Sequence, residues 1–133
     1  MWIFKQSTGQ LYDNTLKLIG TGWSGHGLGF NNPAMQNVKD EGPIPFGLYK
    51  KGKSFNDAKM GVLVIPLIPD EFNVMFDRSG FFMHGHTPTF TPDGYFIDAN
   101  NNKLPISDGC SIQERIARQA FDDSQDVYLG VIP

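Results

Sequence analysis

A mainly β, α+β fold, a sandwich or open barrel with one helix at its side, is what residues 1–133 predict, and three observations predict it. Glycine (15) and proline (9) together exceed the roughly 12% of an average chain, which marks many tight turns and therefore short strands. Between those turn residues the apolar residues alternate or cluster in short runs, the pattern of half-buried strands. One segment alone, 111–121, repeats its apolar residues at the three-four spacing of a helix. With 40% hydrophobic residues and no linker, repeat or low-complexity tract, the chain reads as a single domain spanning 1–133 around one core.

The elements follow in order. Trp2-Ile3-Phe4, Leu11-Tyr12 and Leu16 to Ile19, punctuated by Ser7-Thr8-Gly9 and Asp13-Asn14, read as a meander. Residues 23–45 are rich in glycine and proline and read as a long connection, a length that in compact domains goes with function. Strands are expected again at 46–49, 61–68, 72–76 and 81–84, with a second long loop over 85–107. Ile112, Ile116, Ala117, Ala120 and Phe121 line one face of the expected helix 111–121, and Ser111 with Glu114 three residues on has the form of a capping box. Val127, Leu129 and Val131 alternate in a closing strand.

Composition excludes several functions. A net charge of −3 and no Lys/Arg run longer than Lys50-Lys51 leave no footprint for a nucleic acid. The longest apolar run, 62–68, is interrupted by Pro66 and falls far short of the roughly 18 residues of a membrane span, so no membrane insertion is expected. The first residues, Met-Trp-Ile-Phe-Lys, do not have the form of a signal peptide.

The lone cysteine, Cys110, has no internal disulfide partner and is either a buried filler or a reactive thiol. Its neighbours Ser107, Asp108 and Gly109 make a poor core, which favours the reactive thiol. A position at the threshold of the expected helix would stabilise a thiolate. Gly109 would let the Gly109 and Cys110 N–H groups approach a substrate oxygen as an oxyanion hole. His84, ending a strand, is the candidate base, whereas His86 and His26 read as solvated loop residues. The competing chemistry is a metal-dependent hydrolase using His84 and His86, two apart on one strand face, although no Cys pair or HExxH spacing accompanies them. Asp98 to Asn102 has the start of a calcium loop, but Lys103 stands where glycine is required, and a polar loop tip fits better.

The order of these residues, a histidine after an apolar strand and then Ser-x-Gly-Cys, resembles the L,D-transpeptidase (YkuD-like) superfamily, and more particularly its type VI secretion effector branch. The matching stretches are Ser7 to Leu11, Ser24-Gly25, Asn31-Asn32-Pro33, Gly42 to Tyr49, Arg78 to Phe81, Met83-His84-Gly85 and Ser107 to Cys110, with Arg115 downstream. Asp108 replaces the histidine of the commoner turn. The resemblance implies an L,D-transpeptidase-like fold and a cysteine enzyme, without cofactor or metal, that modifies peptidoglycan stem tetrapeptides as an L,D-carboxypeptidase or D-amino-acid exchange enzyme. It implies Cys110 as nucleophile, His84 as base and the Gly85 carbonyl as the group orienting the imidazole, with Ser107 and Gly109 completing the turn. Arg78 and Arg115 are candidates for the D-alanine carboxylate, and Asp108 and His86 for further substrate contacts. It also implies delivery into the periplasm of a target bacterium and an immunity protein as partner. The alternative reading is a silent β-sandwich that binds glycan or a partner through Trp23 and its aromatic loops.

Overall fold

Alternation sets the central strands in the computed structural model, which describes residues 1–133. In β1 (Trp2–Lys5) Trp2 and Phe4 point inward, while Ile3 and Lys5 are only half-buried. In β12 (Tyr128–Ile132) Leu129 and Val131 do the same. The strands between are β2 (Gln10–Tyr12), β3 (Leu18–Thr21), β4 (Trp23–Ser24), β5 (Gly47–Lys51), β6 (Phe55–Asp57), β7 (Gly61–Pro69), β8 (Phe82–His84), β9 (Tyr95–Ile97), β10 (Lys103–Pro105) and β11 (Ser111–Ile112). The helix α1 (Arg115–Asp123) precedes β12.

Nine strands form one path in the order β3-β2-β1-β12-β5-β7-β8-β11-β4, β6 adds to β7, and β9 and β10 make a separate hairpin. The sheet is mixed: β1 runs parallel to β12 and β8 parallel to β11. Both ends of the path are neighbours in sequence, β3 and β4, joined by Gly22. A Cβ at Gly22 would stand 1.7 Å from the Ile112 carbonyl oxygen, so only glycine lets the chain turn there. The sheet thus curls over on itself without closing as a barrel, and the expected mainly β fold with one helix stands.

Tyr49, Phe4, Phe121, Leu11, Ile65 and Met83, all fully buried, anchor the core between the curved sheet and α1. The Tyr49 hydroxyl donates to the Pro45 carbonyl at 2.7 Å, which satisfies its one buried polar atom. Lys51 Nζ caps the helix from outside, donating to the carbonyls of Phe121, Asp122 and Ser124, groups that a helix end leaves orphaned. No helix is long and apolar enough to cross a membrane.

Four sequence expectations are corrected. Residues 72–76 are no strand: Asp70 accepts from Phe72 N–H at 3.0 Å and opens a turn, leaving Phe72 88% exposed. The Asn73 side chain takes the place of a neighbouring strand, receiving Leu48 N–H at 3.0 Å and donating to Leu48 O at 2.8 Å. The helix begins at Arg115, not Ser111, with Glu114 as N-cap and no side-chain cap bond. Ser111 and Ile112 instead pair with β8 and β4, and Ile116, expected on the buried face, is 83% exposed. Long-range pairing outweighs helix propensity here. Finally, both long loops contain structure: β4 and two 3₁₀ turns in the first, the β9–β10 hairpin in the second.

Candidate active site

Parallel pairing of β8 with β11 builds the site. Ser111 lies beside Met83 and Ile112 beside His84, so the register carried one residue back sets Cys110 next to Phe82. The Cys110 thiol lies 4.0 Å from the Gly80 carbonyl oxygen. Side chains alternate along strands, so Cys110 and His84 share the face opposite Met83. Both stand in the wall of a cavity of about 910 Å³, together with Gly85, Arg115 and Arg118.

His84 is buried, and its Nδ1 lies 2.7 Å from the carbonyl oxygen of Gly85. A carbonyl only accepts, so Nδ1 carries the proton and the neutral ring keeps its lone pair on Nε2. Burial lowers the His84 pKa, the Gly85 hydrogen bond opposes that, and the Arg118 charge lowers it further. On the other side, burial pushes the half-buried Cys110 thiol up to about 11, aided by Asp108 and opposed by the Phe82 N–H and Arg78. The resting pair is therefore thiol and neutral imidazole. Cys110 directly precedes β11 and not α1, which corrects the expected place at the threshold of a helix.

The turn before the cysteine is tied by hydroxyls. Ser107 is fully buried; its Oγ donates to the Cys110 carbonyl at 2.6 Å and accepts Gly25 N–H at 2.9 Å and Gly109 N–H at 3.2 Å. This corrects the expected oxyanion hole: the Gly109 N–H is committed to Ser107, while the Cys110 N–H has no protein acceptor. Ser24 Oγ donates to the Gly109 carbonyl at 3.0 Å and accepts Ile44 N–H at 2.8 Å. Gly109 has φ 136°, and a Cβ there would stand 2.5 Å from Arg78 Nη2 and 2.8 Å from the Phe81 ring. Conformation and space both demand glycine.

The charged residues part company. Arg78 is buried, and its guanidinium donates to the carbonyls of Gln36, Pro43, Gly42 and Asp108 at 2.5 to 3.0 Å. Four of its five donors are thus spent inside the protein, and the residue expected to hold a substrate carboxylate instead braces the turn. Arg115 is exposed at the cavity wall and makes no ion pair. Asp108 is exposed beside the cavity, 3.6 Å from His26 Nδ1. His26 is no solvated loop residue: its Nδ1 lies 2.8 Å from the Ser107 carbonyl oxygen and its ring meets Tyr95 edge-on.

His86 does not join His84 in a ligand set. Its ring lies against Trp23 and Phe90, and its nitrogens face Thr87 O at 2.6 Å and Glu114 at 2.9 Å. The strand ends at His84, so the expected alternation stops before it. No three His, Cys, Asp or Glu side chains converge as metal ligands. Asp98 accepts from Asn100 N–H and Asn102 N–H, closing its loop on itself. Trp23, proposed as a binding platform on sequence grounds, is 4% exposed under Phe30, His86 and Phe90.

Sequence reasoning missed Arg118, Ser24 and the role of His26. Arg118 carried one signal, a charge between Ala117 and Phe121 on the inward stripe of a helix.

Fold and site together define a mainly β domain with a thiol and a histidine in the wall of one cleft. A family model described as the Tlde1 domain matches residues 19–127, most of the chain, and the protein belongs to this family of type VI secretion effector domains. Comparison with curated proteins and with solved structures gives no match.

Proposed function

We propose that this domain is a cysteine acyl transferase acting on peptidoglycan stem tetrapeptides, and that it serves as an antibacterial effector in the periplasm of the target cell, with an immunity protein as partner. The observation that carries the reading is the tautomer of His84: the Gly85 carbonyl fixes the proton on Nδ1 and leaves Nε2 as a base in the wall it shares with Cys110. A resting thiol suits this mechanism, since the base removes the proton only as the sulfur attacks.

In the proposed reaction the Cys110 sulfur bonds to the carbonyl carbon of diaminopimelate at position three. His84 Nε2 takes the thiol proton and delivers it to the departing nitrogen as the amide bond breaks. Free D-alanine leaves and a thioester remains. Water, a D-amino acid or another stem's amine then attacks that thioester, giving carboxypeptidase, exchange or cross-linking outcomes respectively. The free Cys110 N–H is the oxyanion donor, and Arg115 is the cation for the terminal carboxylate.

The test is intact mass after mixing protein with a tetrapeptide muropeptide and quenching in acid. An adduct equal to the muropeptide minus D-alanine, mapped to Cys110, is expected. Release of D-alanine without an adduct in single-turnover quench would overturn the covalent route, and no release at all would overturn the activity.

A further inference from the structure

A second buried arginine, which lines the same cleft as Arg78, has no place in the chemistry so far. Arg118 is 6% exposed in the middle of α1. Its Nε donates to Leu63 O at 3.0 Å, its Nη2 to Val62 O at 3.0 Å and its Nη1 to Gln113 O at 2.6 Å. Two successive β7 carbonyls reach it because Leu63 sits in the left-handed region, φ 58°, where β7 slips register against β6. Such strain in a bulky residue persists only where the surroundings require it. Gln113 in turn donates its N–H to the His84 carbonyl at 3.0 Å. The guanidinium also lies under Gly85: a Cβ at that residue would stand 2.7 Å from Nη1 and 3.2 Å from the guanidinium carbon.

We propose that Arg118 is a positioning residue for the base. Clamped to β7 and to Gln113, it forms the floor beneath the His84–Gly85 turn and so aims the Gly85 carbonyl at His84 Nδ1. It touches no reacting atom in this reading, which rests on the acyl-transfer function above only for its effect on rate. Its charge and its geometry act in opposite senses on the imidazole proton: the charge disfavours the imidazolium, and the Gly85 carbonyl that it aims favours it. The charged groups facing His84 are Arg118 from α1, which disfavours the imidazolium, and Asp57 from β6, which favours it; the Cys110 thiol is neutral.

The experiment is an NMR titration of His84 in the Cys110→Ala background, with Arg118→Met and Arg118→Lys, beside kcat and KM of the same arginine variants with Cys110 intact. Arg118→Met is expected to mix the two neutral tautomers and to lower kcat about tenfold or more with KM little changed, while the His84 midpoint moves little because the lost charge and the loosened Gly85 bond offset each other. Arg118→Lys keeps the charge without the planar fork. It should lower the midpoint, because the Gly85 bond is loosened with the charge still in place, and should also mix the tautomers and lower kcat. A folded Arg118→Met with the pure Nδ1–H tautomer of wild type overturns the proposal. Should Arg118→Met fail to fold, an Arg118→Lys protein with pure Nδ1–H tautomer and full kcat overturns it instead. The NMR readout needs no turnover, so altered tautomers in a protein inactive on every stem peptide would uphold the clamp and sink the acyl-transfer reading alone.

Discussion

The two sides of the cleft are built by different means. On the cysteine side a short turn is stitched by a hydroxyl: Ser107 binds Gly109 and Cys110 within the turn and Gly25 from far along the chain, and Gly109 leaves room for Arg78. On the histidine side the turn borrows its geometry from distant chain, through Arg118, Gln113 and the strained Leu63. Both sides end in a neutral group, because burial disfavours whichever form is charged: it raises the thiol and lowers the imidazole. The comparison shows that one physical cause can hold an acid and a base in the states a proton transfer requires. Each side holds its own buried arginine, satisfied by carbonyls rather than carboxylates.

The largest expected effect tests whether both sides form one catalytic unit. Cys110→Ala is expected to abolish turnover with melting behaviour close to wild type, and His84→Ala to cost on the order of a thousandfold in kcat. His86→Ala, whose ring packs on Trp23 and Phe90, should cost far less. Residual activity of Cys110→Ala at a tenth of wild type, or reversed histidine results, would break the pairing.

The pH behaviour sharpens the contrast in electrostatics. In the proposed mechanism His84 acts unprotonated, and its pKa is lowered, so the acid limb of kcat/KM is expected below the ordinary histidine value of about 6.5. The thiol is raised, so alkylation of Cys110 by iodoacetamide should climb toward a midpoint near 11 rather than that of a free cysteine. An alkylation midpoint below 8 would mean a resting thiolate–imidazolium pair.

Stability comes next in size. Arg78→Met strands four carbonyls and is expected to lower unfolding stability by about 3 kcal/mol in urea denaturation, and Ser107→Ala by about 1 to 3 kcal/mol. Equal stability of Arg78→Met and wild type would show that the cysteine side does not depend on its arginine. The smallest effect is assigned to Arg115→Ala: exposed and unpaired, it should raise KM several-fold with kcat held, and leave stability within about 0.5 kcal/mol. A fall in kcat alone would remove it from ground-state carboxylate binding.

What the residues announced by themselves was whatever depends on near neighbours. Alternation placed β1 and β12, and turn residues bounded β7 and β8. The motif order singled out His84, Gly85, Ser107, Gly109 and Cys110, since polar residues and glycine around a cysteine are a poor core wherever they fold. The same local reading erred at 111–121, where a helical spacing and a capping pattern lost to strand pairing with β8 and β4. It erred at Arg78 as well, because a guanidinium looks the same in sequence whether carbonyls or substrate will fill its fork. Only the tertiary structure decided that Arg78 and Arg118 face inward, that the His86 ring packs on Trp23 and Phe90, and that Leu63 bends out of strand geometry. Those outcomes rest on bonds between residues tens of positions apart. Hydrogen-bond partners at that separation are chosen by how the sheet curls, and no pattern confined to a dozen residues carries that information.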